Sequence, residues 1–561
     1  VISQQFHGDF MAVEERVAVK EGLATLEEVQ KMSYARSEKE ILRLRTLIIA
    51  AIGSVILTAS SMYVALRMGA LPWPTIFVVL LSMTLLRVLG NTNLNEINVA
   101  HTGMSAGALL AGGLAFTIPA LWMLGHTEVP MVQIFLIALG AAILGTLITA
   151  FIRDIMIIRL KLPYPIGTAA FLTLKAGDVG GKKRNTLFAS LSISAIFVAI
   201  RDWFGKIPAL IQSSTLAAKN IFVGIGLYPM AAGIGYIIGP LYVGTWTLGA
   251  ILSYLIIIPI ATNILGYSVD ASLAFTRSLG IGLIIGGGIA IIVKELGSRI
   301  RDVIGSIKEQ VGGLLKYFLV LAIVSVILLI VAGIPWYAAV IGVIGTMVAG
   351  IMAATITGQT GIDPMEIFGI LVLLFVMALF NINIVAGVLL TAFVAAAVGI
   401  AGDALNDYKA GYLLETPPRY QILSELVGAI VGALTAGFVL KMLVDVYGPT
   451  AFGPDKFFVA PQAYAVSLMI QGIPNLIAFL LGIIVGFVLN IFNIPAMTIG
   501  IGIYLPMVIT VPAALGGLVR VIIDKKYPQY SELGTITGAG LLGGEGIAGV
   551  VIALVLFLMR G

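Results

Sequence analysis

Cysteine is absent from this 561-residue chain, which excludes disulfide bonds, thiolate metal sites and a cysteine nucleophile. Histidine is scarce, and His7, His101 and His126 are too scattered along the chain to predict a histidine metal site. The sequence has no GxxxxGKS or GxxxxGKT phosphate-binding loop, so an ATP-driven pump would need a separate subunit. It also lacks an HExxH motif and an intramembrane pair of aspartates. We therefore expect no enzymatic activity, no metal centre and no bound cofactor.

Charged residues are also scarce, at 11% of the chain against about 25% in soluble proteins. Hydrophobic residues make up 59%, and apolar runs of about 20 residues recur from residue 47 to residue 559. Runs such as LLKYFLVLAIVSVILLIVAG (314–333) do not alternate between apolar and polar residues, as the strands of a β-barrel would. The net charge of +5 is modest and lies largely in loops, so we expect no nucleic-acid partner. The composition predicts an all-α polytopic membrane protein whose partner is the lipid bilayer.

Fifteen apolar segments have the length of membrane-spanning helices, which predicts about 14–16 transmembrane segments. They are 47–66, 72–90, 97–121, 131–152, 186–204, 242–265, 275–295, 314–333, 335–357, 365–381, 383–405, 422–446, 474–492, 506–523 and 536–559. Residues before Leu47 are polar and charged, without the pattern of a secretory signal peptide. We expect them to form a cytoplasmic segment of a protein of the cell membrane.

Three further apolar pieces are too short or too rich in glycine to span a bilayer, namely 163–177, 226–239 and 460–472. Half-length or non-helical backbone at membrane depth is tolerated only where protein or a water-filled cavity surrounds it. The basic cluster GKKRN (181–185) follows the first piece, and it stays on the cytoplasmic side if that piece is re-entrant. The pieces therefore predict re-entrant or broken helices in the interior of a transporter or channel.

The two halves of the chain repeat three motifs in the same order. The pairs are GTLITAF (145–151) with GALTAGF (432–438), LPYPIGTA (162–169) with FVAPQAYA (458–465), and VGIGLYPM (223–230) with IGIGIYLPM (499–507). Three ordered matches predict a duplication, and transporters are often built from such repeats. The predicted organisation is a cytoplasmic segment 1–46, a first transmembrane repeat 47–300 and a second one 301–561. Whether the repeats are inverted stays open.

Several blocks of the chain, taken together and in order, resemble one known family. The blocks are NLNEINVAHT (93–102), FTIPAL (116–121), LPYPIGTAA (162–170), DYKAGYLLETPPRYQ (407–421), VAPQAYA (459–465), GIGIYLP (500–506) and GLLGGEGIAGV (540–550). They resemble the oligopeptide transporter family, which includes the yellow stripe-like metal-chelate transporters and many prokaryotic members. The resemblance implies a proton-coupled secondary transporter that imports peptides or metal-chelate complexes. It also implies about sixteen membrane segments built from a duplicated unit.

Two motifs of the fungal and plant peptide-transport branch are replaced in this chain. ETPPR (415–419) stands where that branch has Lys-Ile-Pro-Pro-Arg, and NTNLN (91–95) stands in place of an Asn-Pro-Gly motif. The resemblance therefore leaves the substrate open between short peptides and metal chelates. A homodimer is one alternative for the oligomeric state, which the sequence does not determine.

The helix predicted over 97–121 carries a polar stripe. Successive helical residues are turned by about 100°, so one stripe collects Asn95, Asn98, Thr102 and Ser105, with His101 beside Asn98. Another face, with Gly103, Gly107 and Ala111, is suited to close helix contact. We expect Asn98, His101 and Thr102 to bind substrate through uncharged polar groups. The alternative is that the first residues lie at the headgroup boundary and that Asn95 caps the helix.

Three glutamates are candidates for proton coupling. Glu545 lies inside the last apolar segment, where a carboxylate costs about 2.5–3.5 kcal/mol on insertion scales and is by default a functional hypothesis. The alternative for Glu545 is a neutral acid that bonds a helix backbone. Glu96 and Glu425 lie near the ends of their predicted spans, so a position at the membrane boundary is the alternative for both.

The end of the span 383–405 carries a further group of charges. Asp403 and Asp407 precede Lys409, and Arg419 follows the next turn. We expect a solvated end in which Asp407 pairs with Lys409 or Arg419, since charges at span ends reach water at little cost.

Pro165 and Pro461 occupy equivalent places in the two halves, and each is predicted to begin a half-helix. The N-terminal end of a half-helix presents free N–H groups that suit anionic substrate groups. Side chains near these prolines and near the repeated GIG motifs are therefore expected at the substrate site. They are Tyr164, Thr168, Gln462, Tyr464, Tyr228 and Tyr504. Tyrosines also anchor helices at membrane interfaces, which is the alternative for Tyr228 and Tyr504.

These patterns favour a secondary active transporter that works by alternating access, with proton coupling through buried carboxylates. A passive channel is the first alternative, but channels more typically repeat a filter around a symmetric pore. An intramembrane enzyme has no supporting motif. A transporter for another small organic solute stays open beside peptides and metal chelates.

Overall fold

The computed structural model describes residues 41–69, 75–126, 130–176, 181–296, 319–360, 363–471 and 473–560. Most of the expected cytoplasmic segment 1–46 lies outside the described residues. So does the boundary between the two predicted repeats, at residues 300 and 301.

The first half of the described chain contains eleven α-helices. They are α1 (Leu44–Met68), α2 (Thr75–Val88), α3 (Leu94–Ala115), α4 (Pro119–Met123), α5 (Met131–Arg153), α6 (Pro165–Ala176), α7 (Gly181–Val198), α8 (Ser214–Ala217), α9 (Pro229–Ile251), α10 (Ile258–Asn263) and α11 (Val269–Ile291). Helices α5, α7, α9 and α11 continue as π-helical turns over Asp154–Arg159, Ala199–Trp203, Leu252–Ile257 and Ile292–Leu296. Two short antiparallel strands, β1 (Leu210–Gln212) and β2 (Gly224–Gly226), pair with Leu210 opposite Gly226.

The second half contains ten described α-helices. They are α12 (Leu319–Val331), α13 (Trp336–Thr360), α14 (Met365–Leu379), α15 (Ile384–Leu413), α16 (Pro418–Tyr447), α17 (Pro461–Gln471), α18 (Leu476–Ile491), α19 (Ala496–Tyr504), α20 (Met507–Lys526) and α21 (Ser531–Arg560). Single turns of 3-10 helix cover Pro449–Ala451 and Pro528–Tyr530.

Eleven helices of the described chain are long and apolar enough to cross a membrane, counting their π-helical and 3-10 extensions. Four shorter apolar helices accompany them, over Phe77–Val88, Leu319–Val331, Met365–Leu379 and Leu476–Ile491. Together these fifteen segments correspond one to one with the fifteen predicted from the sequence. The prediction of an all-α polytopic membrane protein is confirmed.

The helices pack in two groups, and each group draws on both halves of the chain. The first group contains α1 to α6 with α13 to α17, and its closest contacts join α1 with α3, α3 with α16, and α5 with α15. The second group contains α7, α9 and α11 with α18 to α21, and its closest contacts join α11 with α18, α9 with α20, and α7 with α21. Helices α1 and α21 also contact each other, and so join the two groups.

Glycines bring α3 and α16 into direct backbone contact. A Cβ added at Gly428 would lie 1.8 Å from the carbonyl oxygen of Gly103, and one added at Gly432 would lie 2.3 Å from the Cα of Gly107. Small residues at a four-residue spacing allow this approach, as membrane helices commonly do. The close-packing face predicted for Gly103 and Gly107 is confirmed.

We expect Gly428→Ala to lower the stability of the folded protein by about 1–3 kcal/mol, because the methyl group would overlap the backbone of α3. Gly437→Ala on the same helix is the matched control, since its Cβ would meet Ile134 at 4.0 Å. The midpoint of thermal unfolding in detergent measures both variants. Equal midpoints for the two would contradict the packing described here.

The two halves exchange hydrogen bonds at the proline segments. Tyr164 and Ala460, each directly before the proline that begins a half-helix, have positive φ values of 45° and 39°. The Tyr164 N–H donates to the carbonyl of Gly358 at 2.8 Å, and the Ala460 N–H donates to that of Leu66 at 3.0 Å. A positive φ at a residue with a side chain costs energy and persists where the surroundings fix it. This reciprocal pairing supports the duplication that the repeated motifs predict.

Other helices are interrupted as the sequence predicts. Helix α9 is kinked at Gly239, whose φ of 84° and ψ of 169° are not helical, directly before Pro240. In the second half, α19 ends at Tyr504 and α20 begins at Met507 after Pro506. Proline removes an N–H donor and clashes with the preceding turn, so it breaks a helix at these points. The break between α19 and α20 lies directly after the GIG motif of the second half.

Candidate functional site

A cavity of about 370 Å³ lies between the two helix groups, and we call it the Arg67 cavity. Its lining comes from both groups: Arg67, Met68, Leu210, Gln212, Phe222, Tyr228, Met230, Tyr254, Leu273, Asp455, Lys456, Phe457, Val459, Pro506, Met507, Val508 and Ile509. The two repeated GIG motifs therefore meet at one place, Tyr228 and Met230 from one half facing Pro506 and Met507 from the other.

The GIG motif of the first half positions Tyr228 at the cavity wall. Strand β2 ends at Gly226, and a Cβ there would lie 2.2 Å from the Tyr228 ring, so the close approach requires glycine. Tyr228 then precedes α9, which begins at Pro229. Proline suits the first position of a helix because it needs no N–H partner there. The position of Tyr228 in the cavity wall is therefore determined by its neighbours in sequence, Gly226 and Pro229.

Arg67 provides a cation that is fixed in place. Its side chain is 8% exposed, and Nη1 donates to the carbonyl of Phe457 at 2.7 Å. The guanidinium lies 4.1 Å from the Phe457 ring centroid and 4.9 Å from that of Tyr228. Asp455 and Lys456 also line the cavity. The cavity therefore presents charges of both signs between aromatic walls.

A buried ion pair lies behind Tyr228. Arg201 Nη2 donates to Glu545 Oε1 at 2.9 Å, and both side chains are fully buried. The other carboxylate oxygen, Oε2, accepts from the backbone N–H of Met230 at 2.8 Å. Arg201 also holds Asp202 with two hydrogen bonds, and its guanidinium lies 5.1 Å from the Tyr228 ring. Tyr228 thus contacts both Arg67 and Arg201.

The sequence-based reasoning missed both arginines. Arg201 is an arginine inside the predicted span 186–204, and that signal alone would have marked it as a functional candidate. Its partner Glu545 is 344 residues away in the chain, so the pairing has no local signature. Arg67 lies one residue beyond the predicted span 47–66, where a basic residue is ordinarily an interface anchor.

The remaining candidates from the second half lie around the cavity. Tyr504 is 2% exposed, and its ring centroid is 5.8 Å from that of Tyr464. Tyr254, which lines the cavity, donates its hydroxyl to the Tyr504 carbonyl at 3.3 Å. Gln462 Nε2 donates to the carbonyl of Gly69, next to the lining residue Met68. These side chains therefore pack outside the cavity, against its lining residues or their immediate neighbours.

Polar residues of α3, α15 and α16 form a second site, which we call the polar cluster. Its members are Asn98, His101, Thr102, Ser105, Asp407, Tyr408, Gln421, Ser424 and Glu425, and none of them is more than 3% exposed. Ser105 donates to Asp407 Oδ2, and His101 Nε2 lies 3.6 Å from Asp407 Oδ1. Gln421 Nε2 donates to Thr102 Oγ1 at 3.0 Å and to the Asp407 carbonyl at 2.9 Å. The Tyr408 hydroxyl donates to Glu425 Oε2 at 2.6 Å.

The expectation of a solvated end at Asp407 is wrong. Asp407 is 3% exposed and contacts Ser105 and His101 rather than Lys409 or Arg419. Lys409 Nζ instead donates to the carbonyl of Leu162 at 3.2 Å, and Arg419 donates to the Tyr420 hydroxyl at 3.1 Å. Helix α15 runs on to Leu413, and α16 folds back over it, so that Gln421 covers Asp407.

Glu96 lies at the start of α3 and forms an ion pair with Arg45. Arg45 Nε and Nη2 donate to its two carboxylate oxygens at 2.7 and 2.8 Å, and Thr46 Oγ1 adds a third hydrogen bond at 3.0 Å. Asn93 rather than Asn95 caps the helix, since Asn93 Oδ1 accepts from the Glu96 N–H. Asn95 Oδ1 accepts from Thr416 instead.

The first proline segment packs beside the polar cluster rather than at the Arg67 cavity. Tyr164 is fully buried, and its hydroxyl donates to the Ala354 carbonyl at 2.9 Å. Thr168 Oγ1 donates to the Pro163 carbonyl at 3.1 Å. The N–H of Gly167, in the first turn of α6, donates to Asn406 Oδ1 at 3.1 Å, next to Asp407. Within the described chain, Tyr228 is the one predicted substrate residue that lines the cavity.

The polar groups of these two sites do not form a metal centre. Among the residues that the structure describes, no three histidine, aspartate or glutamate side chains are arranged to hold a metal ion. Hydrogen bonding, charge and aromatic contact are the chemistry available at both sites.

The sequence of this chain is similar to those of known transporters. The profile of a family described as the OPT oligopeptide transporter protein matches residues 42–556. A putative oligopeptide transporter of Haemophilus influenzae is 27% identical, over 88% of this chain and 92% of its own length. A probable metal-nicotianamine transporter of Oryza sativa subsp. japonica is 24% identical, over 58% of this chain and 54% of its own length. An iron-phytosiderophore transporter of the same plant is 24% identical, over 65% of this chain and 61% of its own length.

Proposed function

Because this chain belongs to the OPT oligopeptide transporter family, we propose that it is a proton-coupled secondary active transporter that moves short oligopeptides or metal-chelate complexes by alternating access. The observation that carries the proposal is the Arg67 cavity, at which broken helices of both halves meet. Substrate sites of repeat-built transporters lie between the repeats at discontinuous helices. The matched parts of the plant relatives cover little more than half of their length, so their printed substrates are hypotheses for this chain.

The chemistry of the cavity suits a small molecule that carries both charges. Arg67 and Lys456 attract a carboxylate, and Tyr228, Tyr254 and Phe457 supply flat apolar walls. Asp455, which is bonded to Arg277, is the acid of the cavity lining that an amine would approach. A short peptide has one carboxylate and one amine at its ends, and an amino-carboxylate chelate presents several of each. Both substrate classes therefore match the same wall. Its volume of about 370 Å³ lies at the low end of ligand pockets.

The two helix groups provide a physical basis for alternating access. The cavity lies where they meet, with Arg67 and Met68 from α1 on one side and residues of α9 and α20 on the other. Relative movement of two bodies around a fixed site exposes it to each side in turn. The Arg201–Glu545 pair lies directly behind Tyr228. A change in the charge of either side chain would alter the electrostatic potential at the cavity wall.

Uptake by the purified full-length chain in proteoliposomes tests the function. We expect uphill accumulation of radiolabelled trialanine or of iron(II)–nicotianamine when the outside is more acidic than the inside. Collapse of the gradient by a protonophore should reduce uptake to the level of protein-free liposomes. Conductance that is independent of the gradient would indicate a channel instead, and accumulation that a protonophore does not affect would contradict proton coupling.

We further propose that the protein resides in the cell membrane with residues 1–46 on the cytoplasmic side. The basic residues Lys182, Lys183 and Arg184 support this orientation, because basic residues collect on the cytoplasmic side of short loops. They begin α7 directly after the half-length helix α6.

A further inference from the structure

We infer that the polar cluster is the proton-binding site of this transporter, and that Asp407 and Glu425 are the groups that take up the proton. This inference rests on the proposed proton coupling but assigns it to residues that lie apart from the Arg67 cavity. Asp407, Tyr408, Gln421 and Ser424 are absent from the sequence-based candidates.

Four carboxylates of the described chain are no more than 3% exposed, and Asp407 and Glu425 differ from the other two, Glu96 and Glu545, in their side-chain partners. Glu96 is bonded by Arg45 and Glu545 by Arg201, so each of these carboxylates has a fixed cation beside it. In the described part of the chain, Asp407 has His101 and Ser105 beside its carboxylate, and Glu425 has Tyr408, with Thr146 and Thr149 of α5 also close by. A buried carboxylate without a fixed cation accepts a proton more readily than one that is bonded to an arginine.

The charged and titratable neighbours of these two carboxylates lie on α3, α5 and α15. Helix α3 contributes His101, α15 contributes Asp403 and Tyr408, and the two carboxylates act on each other across α15 and α16. Arg153 of α5 lies near Tyr408, and its guanidinium is bonded to Asp154. Ionisation of both acids would place two negative charges in one buried cluster, which is unfavourable, so the cluster suits the binding of one proton.

Buried polar atoms of the cluster lack protein partners. Among the described residues, no hydrogen bond reaches either amide atom of Asn98, either ring nitrogen of His101, Gln421 Oε1, Ser424 Oγ or Glu425 Oε1. Native proteins leave few buried polar groups unpaired, and those few call for an explanation such as an ordered water or a functional role. Seven unpaired donors and acceptors beside two carboxylates form the kind of polar path along which a proton moves.

The packing around the cluster favours a proton over a larger ligand. Helix α3 touches α16 at Gly103 and Gly107, where added Cβ atoms would meet Ser424 Oγ at 2.4 Å and the Gly432 Cα at 3.1 Å. These contacts hold the two polar faces together over the length of the cluster. A peptide or chelate would have to separate the helices, whereas a proton needs only a short hydrogen-bonded path.

The position of Asp407 links proton binding to a half-helix. Its neighbour Asn406 accepts a hydrogen bond from Gly167 at the N-terminal end of α6, and a Cβ at Gly167 would lie 2.2 Å from the Asn406 carbonyl oxygen. A change in charge at Asp407 therefore acts directly on the contact between α15 and the re-entrant segment. Protonation of Asp407 is coupled in this way to α6, a half-length helix of the same helix group.

Infrared difference spectroscopy of the full-length protein in lipid tests the proton site without any substrate. A step from about pH 8 to about pH 5 leaves exposed Asp and Glu largely ionised, but protonates carboxyls whose affinity for protons is raised. We expect the carbonyl stretch of a protonated carboxyl to appear in the wild type. Asp407→Asn and Glu425→Gln should each lower its intensity relative to the wild type, since each replaces an acid by an amide of the same shape.

Asp524→Asn is the matched control, because Asp524 lies at a half-exposed helix end beside Arg520 and should not contribute to the band. His101→Gln should shift the pH midpoint of the band, which a purely structural role of the imidazole would not do. A band of equal size in wild type, Asp407→Asn and Glu425→Gln, or no band at all, would overturn the assignment. If either amide variant does not fold, the pH midpoint of the band in His101→Gln tests the assignment instead. A band without pH-driven uptake would refute the transport mechanism and leave the proton site intact.

Discussion

Replacement of Arg201 by glutamine is expected to destabilise the folded protein by about 3–5 kcal/mol, the cost of leaving a buried charge without its partner. Both side chains of the Arg201–Glu545 pair are fully buried, and the pair is bonded at 2.9 Å. After the substitution, Glu545 would keep only the Met230 N–H as a donor. Asp202 would lose the same arginine but is 21% exposed, so water compensates it in part.

The double variant Arg201→Gln with Glu545→Gln separates charge from packing. Because it removes both charges, it should recover most of the stability lost in Arg201→Gln alone. Lys183→Gln is the control: its partner Glu532 is 51% exposed, and exposed ion pairs contribute about 0–1 kcal/mol. The midpoint of thermal unfolding in detergent measures the stability of Arg201→Gln, of the double variant and of Lys183→Gln. A double variant no more stable than the single one would show that the pair is not held by charge.

Replacement of Arg67 by alanine is expected to weaken substrate binding about 10- to 150-fold. A hydrogen bond to a charged group contributes about 1.5–3 kcal/mol, and about 1.4 kcal/mol corresponds to a factor of ten. Arg67 is held by the Phe457 carbonyl and two aromatic rings, so its guanidinium meets a substrate carboxylate without first losing side-chain freedom. Arg67→Lys should fall between wild type and Arg67→Ala, because lysine keeps the charge but not the planar stacking surface.

The concentration dependence of uptake into proteoliposomes measures this effect, with whichever of the two radiolabelled probes is transported. Arg520→Ala is the matched control. Arg520 also donates to backbone carbonyls beside a tyrosine, Tyr236, but it does not line the cavity. An unchanged apparent affinity in Arg67→Ala, with normal protein levels in the membrane, would remove Arg67 from the substrate site.

The spans and the helix breaks could be predicted because both depend on residues that are close in sequence. Hydropathy over about 20 residues is enough to find a helix in lipid, and Pro165, Pro461 and Pro506 lie at or directly before the start of a helix. The glycine face of α3 is equally local, since helical spacing alone places Gly103 and Gly107 in line. These features needed no knowledge of what packs against them.

Pairings across the chain could not be predicted in this way. The sequence gives no sign that Arg201 bonds Glu545 or that Arg45 bonds Glu96, because the members of each pair lie far apart in the chain. Asp407 was predicted to be solvated because the apolar run stops before it. The helix itself continues to Leu413, and the cover over Asp407 comes from the following helix. Hydropathy thus located the apolar stretch but not the end of the helix.

The exchange of partners between the two halves has a consequence for biosynthesis. A ribosome adds about 5–20 residues per second, so the 344 residues between Arg201 and Glu545 take about 17–70 s to make. During that interval Arg201 is in a nascent chain whose final counter-charge does not yet exist. Asp202, its immediate neighbour, is present from the start and already holds the guanidinium with two hydrogen bonds. A locally paired Arg201–Asp202 unit is thus available to the newly made half, and it becomes a three-membered network when the last helix arrives.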